Sequence, residues 1–239
     1  AGGHGFYRGR YSDELMSGLK QSLQRILSSV ERFGLINDTW AATVAGLTPL
    51  SEYLNLLDLL RDESDINVWT TVIGSAHHLN RILDEAQRTD LQERLRAVFA
   101  PAVERIGWSV RDGESELESQ LRGDLIAVLG TVAADKGCQA QARDLYSQYE
   151  RNANAVDRNL VPALISIVAH TGTPADYEKF YGKFKNAQTP QEEQRYLFAL
   201  AGFRQPDLIE RTCRLTVNGE PVNERAGVAL RGVQAQRLE

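Results

Sequence analysis

From Ser12 onward, apolar residues recur at steps of three and four almost without a break, and that periodicity confines the chain to a helical fold. The first segment shows it best. Leu15, Met16, Leu19, Leu23, Ile26, Leu27, Val30 and Phe33 fall along one stripe. The spacing predicts one helix, capped by Ser12, with Asp13 and Glu14 in the turn where the helix dipole favours negative charge, and stopped by Gly34.

Later helix starts share a chemical form. Thr48-Pro49, Thr173-Pro174 and Thr189-Pro190 each place a hydroxyl acceptor at the N-cap and a proline at the first helical position, where an N–H would have no partner. Thr189 with Glu192, and Thr89 with Gln92, have the spacing of a capping box. Glycines at Gly107, Gly113, Gly137, Gly172 and Gly219 punctuate the rest, giving roughly eleven helices joined by short loops. Starts are irregularly spaced and no signature repeats with a fixed period. The expected fold is therefore all-α: stacked antiparallel helical hairpins, a divergent α-solenoid of the HEAT/armadillo kind, forming one domain over residues 12–237. The polar stretch from Glu150 to Arg158 reads as a loop within that stack.

Residues 1–11 break the pattern. Gly2, Gly3 and Gly5 flank His4, and Phe6-Tyr7-Arg8-Gly9-Arg10-Tyr11 reads as an extended strand with Tyr7 and Tyr11 on one face. A lone strand leaves its backbone groups unpaired, and no second candidate follows, so its partners are expected outside this chain. Leu238-Glu239 reads as a vector remnant, and the whole as a piece of a larger polypeptide.

Charge and cysteine content narrow the function classes. With 27 basic against 32 acidic residues, a formal charge of −5, the chain has no excess with which to neutralise phosphates, so neither nucleic acid nor a membrane surface is expected as a partner. No apolar run reaches the roughly 18–20 residues of a membrane-spanning helix. The cysteines, Cys138 and Cys213, lie far apart and read as buried thiols of a cytoplasmic protein.

The side chains that carry chemistry form no constellation. His77 and His78 are adjacent on one helix and point in different directions, and His170 sits at a helix end where an imidazolium is favoured. No His-Glu-x-x-His spacing and no Gly-x-Ser-x-Gly elbow occurs. Gly2-Gly3-His4-Gly5 precedes a strand instead of a helix, which argues against a phosphate loop. The acidic runs Asp62-Glu63-Ser64-Asp65 and Asp112-Gly113-Glu114-Ser115-Glu116 fall at helix starts, where the dipole alone accounts for them. Trp40, Trp69 and Trp108 read as core anchors, and Phe180-Tyr181 and Tyr196-Phe198 as inter-helix packing. No catalytic or metal-ligating residue is expected in this chain.

Four stretches do more than fit a generic helix. Gly5-Phe6-Tyr7-Arg8-Gly9-Arg10-Tyr11 resembles the Gly-x-Tyr-Arg-Val-x-Tyr strand of aminopeptidase N-type zinc aminopeptidases, with Gly9 in place of the usual valine. Arg32 to Asp38, including Leu35, Ile36 and Asp38, resembles the family's Arg-x-x-Leu-Ile-x-Asp segment. Glu63-Ser64-Asp65-Ile66-Asn67-Val68-Trp69 is similar to its Glu-x-Asp-Tyr-x-x-Trp, and Ile106-Gly107-Trp108 to its Leu-Gly-Trp. The order agrees with the C-terminal helical domain of the endoplasmic-reticulum and puromycin-sensitive branch, in a bacterial version. The resemblance implies that residues 1–11 close a preceding β-sandwich, and that the helical domain packs on the β-sandwich and catalytic domains of the same polypeptide, walling and gating a cavity for peptide substrates. It also implies a zinc ion in the parent enzyme, held outside this chain, with this chain inactive alone. The alternative is an independent helical-repeat scaffold that binds a protein or peptide partner.

Overall fold

A computed structural model of the chain describes residues 8–21 and 23–217, and among these every regular element is a helix. The chain divides between Ala133 and Ala134 into two compact units.

The first unit contains α1 (Asp13–Lys20), α2 (Leu23–Ile26), α3 (Ser29–Val44), α4 (Leu50–Leu57), α5 (Ile66–Ile82), α6 (Glu85–Ile106) and α7 (Glu116–Gly130). Helix α3 packs on α4 and α5, and α5 and α6 pack on α7. The core comprises Leu35 and Ile36 of α3, Tyr53 and Leu56 of α4, Val68 and Trp69 of α5 and Phe99 of α6, all essentially sealed from water. The second unit contains α8 (Lys136–Arg151), a 3-10 turn (Ala153–Ala155), α9 (Val161–His170), α10 (Pro174–Lys185), α11 (Pro190–Leu200) and α12 (Pro206–Val217). Helix α8 packs on α9, and α11 is flanked by α9, α10 and α12. These neighbouring pairings are those of stacked helical hairpins. Among the described residues no helix is long and apolar enough to cross a membrane.

The single helix expected over the first apolar stripe is not formed: the chain makes α1, α2 and then α3. The cause is a capping box at Ser28, whose side chain accepts the Glu31 N–H while the Glu31 carboxylate accepts the Ser28 N–H at 3.0 Å. That box starts a new helix where periodicity alone would continue the old one. Leu15, Ile26 and Val30 are consequently 53%, 66% and 56% exposed. Gly34 does not stop the helix; it lies inside α3, at the cost of about 1 kcal/mol relative to alanine.

Two of the three threonine-proline starts behave as expected. The Thr173 and Thr189 hydroxyls accept the N–H groups of Asp176 and Glu192, each with proline at the head of its helix. Before α4, Pro49 itself occupies the N-cap, with no side-chain bond. Thr89 lies inside α6 and donates to the Glu85 carbonyl; the box that starts α6 is Asp84 with Gln87, five residues earlier than expected. At Thr189 the box is half formed, because the Glu192 carboxylate accepts from the Gln188 N–H. Gly107 ends α6 at φ +76°, and Gly137 falls within the first turn of α8 and does not end a helix.

Of the expected N-terminal strand, residues 1–7 lie outside the described residues, as do Gly219 and the segment 238–239. Arg8 to Ser12 form no strand. The Gly9 N–H donates to Asp38 Oδ2 at 2.9 Å, so a side chain of α3 takes the place a neighbouring strand would have filled.

Candidate functional site

The residues singled out in the sequence meet in a run of polar contacts within the first unit. At its start, Arg8 Nη1 donates to the Asn37 carbonyl at 3.1 Å and to Asp38 Oδ1 at 3.4 Å. With the Gly9 N–H, the Asp38 carboxylate thus holds the incoming chain against α3. Tyr11 is half-buried, and Tyr7 lies outside the described residues. Leu35 and Ile36 are buried in α3 one turn before Asp38.

Four residues before Ile36, Arg32 reaches the next motif. Its Nε and Nη2 bind the two oxygens of Glu63 at 2.6 and 2.9 Å, a bidentate pair in which the Glu63 side chain is 0% exposed. Glu63 Oε1 also accepts the N–H groups of Ser64 and Asp65 at 2.8 and 2.9 Å, so the carboxylate shapes the turn that enters α5. The carbonyl of Glu63 accepts Trp69 Nε1 at 3.0 Å. Trp69 is fully buried, its ring 5.4 Å from Phe99. Arg105, near the end of α6, donates to the carbonyls of Arg61 and Glu63.

Two residues beyond Arg105 comes the last motif. Gly107 takes a left-handed φ that an L side chain rarely adopts, closes α6 by donating to the Val103 carbonyl at 2.8 Å, and offers its own carbonyl to Arg122 Nε at 3.1 Å. Arg122 and Glu114 form a second ion pair, each side chain 1% exposed, and Glu114 also accepts the Arg111 N–H at 3.0 Å. Trp108 is half-buried beside this turn. A cavity of about 230 Å³ opens against Glu63, Trp69, Arg105 and Arg111.

Electrostatics fix what this arrangement can do. Burial pushes the Glu63 carboxyl up, but the Arg32 guanidinium and the Asp65 and Ser64 N–H groups outweigh it and hold the group below the usual carboxylate range. The hydrogen bond from Arg122 does the same for Glu114. Carboxylates kept ionised by arginine are poor proton donors at neutral pH. Their role here is to fix the loops that enter α5 and α7.

The remaining candidates are dispersed. His78 packs edge-on against Trp40, which is half-buried and 5.0 Å from the Tyr53 ring, and His170 closes α9 as its last residue. Cys138 is buried in the first turn of α8, where desolvation pushes its thiol up to about 12, and Cys213 is half-buried on α12. Phe180 and Tyr196 are buried in an aromatic cluster, Tyr181 lies under the Arg211 guanidinium, and Phe198 is 38% exposed. Among the described residues no group of three or more His, Cys, Asp and Glu side chains could hold a metal ion.

Sequence reasoning missed the burial of Glu63 and Glu114, and with it Arg32, Arg105 and Arg122 as the groups that hold the motifs together. A carboxylate at a helix start is normally an exposed dipole partner. The available signal was an arginine one turn before the core pair Leu35 and Ile36 in the same motif.

The family model described as the ERAP1-like C-terminal domain matches residues 1–238. Aminopeptidase M1 of Arabidopsis thaliana is 26% identical over 249 residues, covering 98% of this chain and 28% of that protein. Aminopeptidase M1-A of Oryza sativa subsp. japonica is 28% identical over 243 residues, covering 97% and 27%. Mitochondrial aminopeptidase 2 of Saccharomyces cerevisiae is 24% identical over 237 residues, covering 98% and 25%. The chain thus spans about a quarter of the length of these relatives. By a match that runs over nearly its whole length, the chain belongs to the ERAP1-like C-terminal domain family.

Proposed function

We propose that this chain is the non-catalytic C-terminal domain of a longer, cytoplasmic, zinc-dependent aminopeptidase that removes N-terminal residues from peptides. The observation that carries the reading is the family match over residues 1–238, joined to relatives named aminopeptidases of which the chain covers only about a quarter. Zinc would be held by the remainder of the parent, because the described residues of this chain do not fit it: no three of their potential ligands converge. What this chain contributes is a wall. Helix ends fixed by Arg32–Glu63 and Arg122–Glu114 give a stack that keeps its shape beside the catalytic and β-sandwich domains and, by moving as a body, gates entry of peptide to the cavity.

The test compares the full reading frame, the same protein lacking this domain, and the 239-residue chain alone, measuring release of N-terminal residues from peptides of increasing length. The intact protein is expected to be active and inhibited by metal chelators, and the 239-residue chain inactive. Removing the domain is expected to change the dependence of rate on peptide length. An upstream frame with no His-Glu-x-x-His helix and distal glutamate would overturn the reading.

A further inference from the structure

The pairings of Arg32, Arg105 and Arg122 all fall at one edge of the first unit. Arg32, in the first turn of α3, holds Glu63 at the entrance to α5, and Arg105, at the end of α6, holds the carbonyls of Arg61 and Glu63. Arg122, in the second turn of α7, holds Glu114 before that helix and the Gly107 carbonyl after α6. The edge is therefore made of the starts of α3, α5 and α7 and the end of α6. Three helix starts side by side and two layers deep, at about 10 Å between axes, give it roughly 600 Å², the scale on which domains of one chain meet.

This edge is apolar as well as rigid. Val30 in the first turn of α3, Leu59 before α5, Val110 before α7 and Leu117 in the first turn of α7 are each between 37% and 59% exposed. The same edge holds the cavity of about 230 Å³, with Trp69, Ile106, Leu121 and Leu125 as its apolar lining and Arg105 and Glu118 as its charged one. An apolar lining beside charged groups suits an aromatic ring with a polar tip, the kind of side chain that anchors interfaces.

The direction of the chain indicates what covers the edge. Arg8 is held at Asn37 and Asp38, whereas Tyr11 lines a cleft with Ala42 and Leu47. In the direction of decreasing number the backbone thus runs toward the start of α3, which belongs to this edge. The chain spans about a quarter of the length of its relatives and matches a C-terminal domain, so on the reading above most of the parent precedes it.

We propose that the edge formed by the starts of α3, α5 and α7 is the docking surface for the polypeptide that precedes Ala1 in the parent, with one aromatic side chain of that polypeptide seated in the cavity beside Trp69. The proposal rests on the aminopeptidase reading and adds to it which face is covered and by what chemistry.

Ser64→Cys places a thiol at an exposed position of the cavity lining, and Ala45→Cys places one at the far end of α3. Maleimide labelling is followed by mass spectrometry of the peptides carrying positions 64 and 45, in the 239-residue chain and in the full-length parent. Position 64 is expected to label about tenfold more slowly in the parent, or slower still, and position 45 alike in both. Adding Val110→Asp and Leu117→Asp, both exposed in the chain alone, is expected to leave its thermal midpoint unchanged and to speed labelling of position 64 in the parent about tenfold. Equal labelling of position 64 in chain and parent, or slow labelling unchanged by the two aspartates, would overturn the proposal. A parent that cleaves peptides yet labels at the chain's rate overturns the docking alone. Slow labelling in a full-length protein without aminopeptidase activity overturns the earlier reading and supports the docking.

Discussion

Where the residues before Ala134 fix their helix ends with arginines on carboxylates and carbonyls, those after it rely on a cluster of aromatic rings. Phe180 is its hub, edge-on to Tyr146, Tyr196 and Phe203 at 5.6, 5.4 and 5.8 Å, with Tyr177 against Phe203 at 5.2 Å. The tyrosine hydroxyls stay satisfied inside, Tyr177 with Thr212 at 2.9 Å and Tyr146 with Tyr196 at 3.5 Å. Cations sit over the rings: Lys183 over Tyr146 and Tyr196 at 5.8 and 5.5 Å, Arg211 over Tyr177 and Tyr181 at 4.9 and 5.0 Å. The difference teaches where each half is vulnerable. A buried ion pair is sensitive to loss of one partner and to protons, whereas a ring cluster is sensitive to loss of volume.

The largest effect should come from the hub. Phe180→Ala is expected to destabilise by about 4 kcal/mol and to raise amide exchange in α10–α12 more than in α3–α6; a uniform rise would erase the contrast between the halves. Glu63→Gln should cost about 3 kcal/mol at neutral pH, because it leaves the Arg32 charge without its carboxylate. In that variant the exchange pattern should reverse, with α3 and α5 the most affected.

Titration acts on paired carboxylates in acid and on buried tyrosines in base. The folded-state values of Glu63 and Glu114 are depressed, so their contribution is complete above the ordinary carboxylate value of 4.5 and is lost as pH falls through the lowered ones. Burial raises Tyr53 in the first unit and Tyr146, Tyr177 and Tyr196 in the second, so the folded state disfavours their ionisation and stability falls as pH rises above the ordinary tyrosine value of 10.0. Exchange should therefore rise in α3–α5 as the pH falls below 4.5, and both in α4 and in α10–α11 as it rises above 10.0. An exchange pattern unchanged at either extreme would refute this.

Smaller changes sharpen the picture. A Cβ at Gly172 would lie 2.5 Å from the Phe203 ring and 2.7 Å from the Val168 carbonyl, so Gly172→Ala should cost about 2 kcal/mol by overpacking, read from the shift in urea midpoint. Arg8→Ala should cost less than about 1 kcal/mol, since the guanidinium is 58% exposed and its pair with Asp38 is screened. A larger loss on adding salt to the wild-type chain than to Arg8→Ala would show what that pair contributes.

The helical class and many of the element boundaries were legible because caps are local chemistry: Thr173 and Thr189 announce α10 and α11 with a hydroxyl and a proline. The same chemistry was present and outvoted at Ser28-x-x-Glu31, where an apolar stripe continued across a boundary. Periodicity records which residues are apolar; it does not record that the chain turns, and so Leu15, Ile26 and Val30 were placed on a face they do not share. The motif positions were legible by resemblance, but their mutual contacts were not. Arg32 and Glu63 lie 31 residues apart, and nothing in either neighbourhood marks them as partners. The cavity beside Trp69 was illegible for a related reason: its walls belong to α5, α6 and α7 together.

Arg105 reaches main chain, and this sets an asymmetry in how the two ends of its contact can change. Every residue type brings a carbonyl, so position 61 can drift without disturbing the grip as long as the turn keeps its path. Position 105 has no such latitude, because a lysine offers a single ammonium where a planar fork spans two carbonyls. A search for paired substitutions would therefore find no correlation between positions 61 and 105, although the two residues touch.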